Sequence, residues 1–76
     1  MELKLAIAAI TLEFDTATFN FSPFNSTHEG YAVLKEEVDE LWDEIKKKAE
    51  NRSPEKLRKE ASQVAAMALR FLVDCT

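Results

Sequence analysis

The chain has 76 residues, a formal net charge of −4 and 46% hydrophobic residues, which suits one small domain and is too apolar for a disordered segment. The acidic balance argues against non-specific binding to a nucleic acid polymer, and no apolar run reaches the ~20 residues of a membrane span. One cysteine, Cys75, excludes an internal disulfide and a cysteine-based metal site. Together with the lack of a signal-peptide layout over the first ten residues, it makes a reducing, cytoplasmic setting the expectation. A single glycine and two prolines leave few breakers, which favours long helices over a turn-rich β fold.

Leu3, Ile7, Ile10, Phe14 and Ala17 recur at helical spacing and predict a first helix over residues 2–18, although Leu3-Lys4-Leu5 and Leu12-Glu13-Phe14 also fit strand alternation. Residues 19–25 read as a loop, because Pro23 biases Ser22 away from the helical region. Ser26-Thr27-His28-Glu29 has the form of a capping box. It predicts a second helix from about Thr27, with Gly30 in the first turn, where it costs little. Tyr31, Leu34, Val38, Leu41, Trp42, Ile45 and Ala49 then form an apolar stripe about 100° wide, which assigns Trp42 to the core. Glu29, Glu36, Glu40 and Asp43 lie opposite the stripe. Glu37 and Glu44 lie on its flank, where a carboxylate can point into a groove toward a neighbouring helix.

Asn51-Arg52-Ser53-Pro54 ends the second helix and begins the third, with Ser53 as N-cap and Pro54 as first helical residue. The third helix is predicted over residues 54–74. Between Ala61 and Val73 it is apolar nearly all round, interrupted by Ser62, Gln63 and Arg70. Such a helix needs cover on every side, and two partner helices in a chain this short do not supply it. The expected fold is all-α: one domain over residues 1–76, three helices per chain, an antiparallel helical bundle completed by oligomerisation. A homodimer or tetramer is expected, with the third helices near a two-fold axis in a dimer.

The charge is unevenly placed. Residues 28–44 carry seven acids and one base, and residues 46–59 carry seven bases and two acids. Lys46, Lys47 and Lys48 either complement the negative end of the second helix or attract a phosphate-bearing small molecule. Within the acidic segment, Glu37 and Glu40 are spaced i, i+3 and Glu36 and Glu40 i, i+4, so they share a face. Glu60 and Gln63 have the same i, i+3 spacing on the third helix. A short connection makes the two helices antiparallel neighbours, which sets residues 37–40 and 60–63 at similar heights. Three carboxylates and an amide oxygen are hard ligands suited to Mg²⁺. The alternative is a solvated acidic face.

The string Phe24-Asn25-Ser26-Thr27-His28-Glu29-Gly30-Tyr31-Ala32-Val33-Leu34-Lys35-Glu36-Glu37-Val38-Asp39-Glu40-Leu41-Trp42, with Glu60-Ala61-Ser62-Gln63-Val64-Ala65-Ala66-Met67-Ala68 downstream, resembles the MazG-like branch of the all-α nucleoside triphosphate pyrophosphohydrolases. The resemblance covers residues 20–74. The family pattern is Glu-Glu-x-x-Glu on one helix and Glu-x-x-Asp on the next. The first motif is complete at Glu36, Glu37 and Glu40. In the second, Glu60 is present and Gln63 stands where the family usually has Asp. The resemblance implies cleavage of a nucleoside triphosphate between its α- and β-phosphates, with Mg²⁺, or Mn²⁺ in its place, as cofactor. Glu37, Glu40 and Glu60 would be metal ligands, Gln63 a fourth, and Glu36 either a support behind the ligands or a catalytic base that orients the attacking water. Family members are dimers or tetramers. The uncharged Gln63 also suits a non-catalytic helical oligomer, or a nucleotide-binding module of the same fold that has lost hydrolysis.

Four more residues are candidates for substrate binding. Phe24 and Asn25 are placed to stack on and hydrogen-bond a nucleobase, with Phe24 equally suited to staple the loop onto the second helix. His28 is either a phosphate or ribose contact or part of the helix cap. Arg70 either reaches a phosphate or pairs with Asp74, four residues on.

Overall fold

Ser26, Ser53 and Pro54 start their helices where the sequence places them. In the computed structural model, which describes all 76 residues, α1 spans Leu3–Asn20, α2 Thr27–Ile45 and α3 Pro54–Cys75. A 3₁₀ turn covers Ala49–Asn51, and there is no strand. The Ser26 hydroxyl accepts from the Glu29 N–H at 3.0 Å. Glu29 reaches back one residue beyond the usual box, accepting from both the backbone and the side-chain amide of Asn25 at 3.2 Å. The Ser53 hydroxyl accepts from the Lys56 N–H at 3.3 Å.

α2 ends at Ile45, before Ala49, the last member of its predicted stripe. Arg52 Nε donates to the Ile45 carbonyl at 2.9 Å, satisfying an acceptor that the helix itself leaves open. Lys46 and Lys47 fold back onto Asp43 and Glu44 at 3.1 and 2.9 Å. These two bases therefore sit at the negative end of α2 and spend their charge on nearby carboxylates.

α3 is the shared support. α1 and α2 each pack against it and not against each other. α2 runs antiparallel to α3: the Phe24 N–H donates to Asp74 at 3.0 Å and Cys75 Sγ lies 3.6 Å from the Ser26 carbonyl, while Glu37 and Glu40 lie beside Glu60. The buried core is small, comprising Ala17, Phe24, Ala66 and Met67, with Phe14, Val33, Leu34 and Cys75 packed against it. No helix is long and apolar enough to cross a membrane.

The face that α2 turns to α3 differs from the predicted stripe. The covered residues are Gly30, Val33, Leu34, Glu37, Leu41 and Glu44. Tyr31, Val38, Trp42 and Ile45 are exposed, so Trp42 is not a core residue within one chain. On α1, Leu3 and Ile7 of the predicted stripe are likewise exposed. Gly30 lies at the centre of the face that α2 turns to α3. A Cβ there would lie 2.8 Å from the Phe71 ring and 3.2 Å from both Cys75 Sγ and the Phe24 ring. The helices approach closely at this point because the side chain is missing, so Gly30 is a packing requirement rather than a tolerated residue. Gly30→Ala gains at most about 1 kcal/mol of helix propensity against about 1–3 kcal/mol for overpacking. The expected net loss lowers the unfolding midpoint by several degrees, readable in a thermal melt.

Candidate metal and substrate site

Position 37 shares the α3-facing side of α2 with Gly30, Leu34 and Leu41, so the Glu37 side chain is directed into the groove between the two helices. Glu40, three residues on, stands about 60° around the helix. The rotation of α2 carries it from the side opposite the predicted stripe to the rim of this groove. Glu60, near the start of α3, meets them. One carboxylate oxygen from each of Glu37, Glu40 and Glu60 lies within 4.8 Å of the others.

The electrostatics are unrelieved. None of the three carboxylates takes part in an ion pair. Glu37 Oε2 and Glu60 Oε2 are buried without a hydrogen-bond partner. Desolvation, followed by the charge of Glu40, a hydrogen bond to it and the charges of Glu60 and Glu36, pushes Glu37 up to about 7. Glu60 is raised for the same leading reasons, burial and then Glu40, with Lys59 opposing. Glu40 thus acts on both neighbours. By contrast Glu44, one turn further, is held by Lys47 at 3.0 Å. An all-oxygen set with Glu37 and Glu60 half-buried, Glu40 exposed at the rim, two orphaned acceptors and no base paired to it fits a hard divalent cation, which would remove both the repulsion and the unsatisfied oxygens.

Beside the trio a groove of about 570 Å³ opens between α1 and α2. Gln63, Met67 and Arg70 of α3 contribute its floor. Glu36 and Glu37 stand on the α2 side, and Phe24 and Asn25 at the loop end. The groove thus brings together Phe24, Asn25, Glu36, Glu37, Gln63 and Arg70. It does not include His28, which lines a separate shallow hollow with Tyr31, Leu34 and Phe71.

Arg70 is 5% exposed. Its guanidinium donates to the Ser22 carbonyl at 2.8 Å, stands 4.4 Å over the Phe24 ring and lies 3.9 Å from Asp74. With Asp74 accepting from the Phe24 N–H, these contacts hold the α1–α2 loop down on α3. Phe24 is buried among them, as a staple would be.

The sequence reading missed the α1 side of the groove, formed by Glu13, Thr16 and Asn20. Their i, i+3, i+7 spacing beside Ala17 was the available signal, since it puts three polar side chains next to the one buried position of that helix. Comparison with protein-family models, with curated proteins and with solved structures finds no match to this chain.

Proposed function

We propose that the chain is a MazG-like, Mg²⁺-dependent nucleoside triphosphate pyrophosphohydrolase. It converts a ribo- or deoxyribonucleoside triphosphate to the monophosphate and pyrophosphate, acts as a homodimer or tetramer whose bundle is completed by oligomerisation, and works in the cytoplasm. The observation that carries this reading is the convergence of Glu37, Glu40 and Glu60 to within 4.8 Å beside a groove of about 570 Å³, in the range of small-molecule sites. The resemblance of residues 20–74 to the family's paired motifs supports it.

Glu37, Glu40 and Glu60 would hold the ion, with Mn²⁺ as a substitute and the Gln63 amide oxygen as a neutral fourth donor. The bound ion supplies charge neutralisation of the triphosphate and acidification of a water. Glu36, on the same groove wall as Glu37, orients the attacking water and takes its proton. Asn25 stands at the loop end, where its amide faces the nucleoside, and the buried Phe24–Arg70 stack shapes that end. Glu13, Thr16 and Asn20 form the opposing wall.

A second reading is favoured by one residue. Gln63 brings no charge where the family pattern has a carboxylate, which suits a module that binds nucleotide, or only oligomerises, without hydrolysis. Pyrophosphate release from a panel of ribo- and deoxyribonucleoside triphosphates with Mg²⁺ or Mn²⁺ decides between them. Release from any member supports the enzyme. Binding without release supports the module. Neither, with the protein folded, overturns both nucleotide readings.

A further inference from the structure

The loop between α1 and α2 closes one end of the groove with Phe21, Pro23, Phe24 and Asn25. Its two aromatic rings differ. Phe24 is buried, with the Arg70 guanidinium 4.4 Å over its ring, so that ring is already covered. Phe21 lines the same groove and is 67% exposed. It is the ring on which a flat heterocycle can stack.

The polar lining is biased toward acceptors. Glu13, Glu29, Glu36 and Glu37 line the groove, and an ionised carboxylate only accepts. The one cation among the lining residues is Arg70, which is engaged by the Ser22 carbonyl at 2.8 Å and by the Phe24 ring. Asn25 completes the bias. Its backbone N–H and its Nδ2 each donate to the Glu29 carboxylate at 3.2 Å. Because the carboxylate offers no donor, this two-point grip turns the nitrogen of the amide toward Glu29 and leaves Oδ1 as the free acceptor. An amino group on a ligand satisfies Oδ1. A keto oxygen in the same place sets two acceptors face to face and leaves both unpaired.

We propose that the loop end of the groove takes a nucleobase with an exocyclic amino group, cytosine or adenine, stacked on Phe21 and read by Asn25 Oδ1. Glu29 is the positioning residue that fixes the Asn25 amide. Uracil and hypoxanthine, which carry a keto oxygen in place of that amino group, are disfavoured. The proposal rests on the nucleotide reading of this site and adds the base to it.

Pyrophosphate release by the full chain with Mg²⁺ tests it on two matched pairs, CTP against UTP and ATP against ITP. The ratio of kcat/KM within each pair is expected to favour CTP and ATP by about 10- to 100-fold. Glu29→Gln keeps a residue suited to the helix cap, but glutamine donates as well as accepts. The Asn25 amide is then free to turn, and both ratios should fall toward one. A merely structural role for Glu29 would lower kcat/KM for all four nucleotides and leave the ratios as they were. Asn25→Ala, in the loop before α2, should also bring the ratios toward one, and it carries the test if Glu29→Gln fails to fold. Phe21→Ala should raise KM about tenfold for CTP and ATP while the ratios persist. Equal rates within either pair, a preference for UTP or ITP, wild-type ratios in Asn25→Ala or a wild-type KM in Phe21→Ala overturns the proposal and leaves the pyrophosphohydrolase standing. If no nucleotide is cleaved, calorimetric titration of the same four with Mg²⁺ decides. Tighter binding of CTP and ATP upholds the base end in a module without hydrolysis, and equal or absent binding overturns it.

Discussion

Magnesium at ~10 mM is expected to raise the thermal midpoint of the metal-free protein, and Glu40→Gln is expected to abolish that rise while stabilising the metal-free state. Native-state binding at a site of roughly millimolar affinity contributes about 1.4 kcal/mol at this concentration. For a domain of this size that corresponds to an increase of roughly 5–10 °C. The direction of the variant effect follows from the position of Glu40, whose charge acts on both Glu37 and Glu60. Neutralising it relieves two repulsions at once and removes one ligand. Differential scanning calorimetry with sodium chloride at matched ionic strength separates specific binding from screening. The carboxylates would be a solvated surface and no more if magnesium and salt act alike and metal-free Glu40→Gln melts with the wild type.

The second large effect is an unusual slope of stability with pH. In the metal-free folded state Glu37 is pushed up to about 7 from an ordinary value of 4.5, and Glu60 is also raised. Between about 4.5 and 7 the folded protein therefore binds more protons than the unfolded chain, and stability falls as pH rises. The contribution is complete below about 4.5 and lost as pH passes through about 7. Melts in a chelator should give a higher midpoint near pH 5.5 than near pH 7.5, and Glu37→Gln should flatten the difference. With ~10 mM magnesium present the slope should become shallower over the same window, because the ion competes with protons for the same oxygens and its contribution of about 1.4 kcal/mol offsets only part of the proton-linked loss. A midpoint that rises with pH in the metal-free wild type would show that these carboxylates are not crowded in solution.

Both effects depend on three side chains meeting, and the sequence brought them only part of the way. The i, i+3 spacing of Glu37 and Glu40 and the short link before Ser53 were enough to place them opposite Glu60. The face of α2 that meets α3 is centred near Gly30, where the absence of a Cβ lets Phe71, Cys75 and Phe24 close around the helix. This orientation of α2 brought Glu40 to the rim and exposed Trp42. Pattern reading grouped Tyr31, Val38, Trp42 and Ile45 with the core because it assigns one apolar face to each helix, whereas α2 has a covered face and an uncovered one. Arg70 was legible as a partner of Asp74 four residues on. Its bond to the Ser22 carbonyl, 48 positions away, was not.

The sequence by itself determined where the helices begin, since a cap is a local hydrogen bond between residues three apart, as at Ser26 with Glu29 and Ser53 with Lys56. It also determined that the chain is all-helical, through periodicity and the scarcity of breakers. Which face of α2 meets α3, where the α1 wall stands, and how closely Glu37, Glu40 and Glu60 converge were decided only by tertiary packing. These depend on contacts between residues distant in the chain, such as the close approach of Phe71, Cys75 and Phe24 to Gly30.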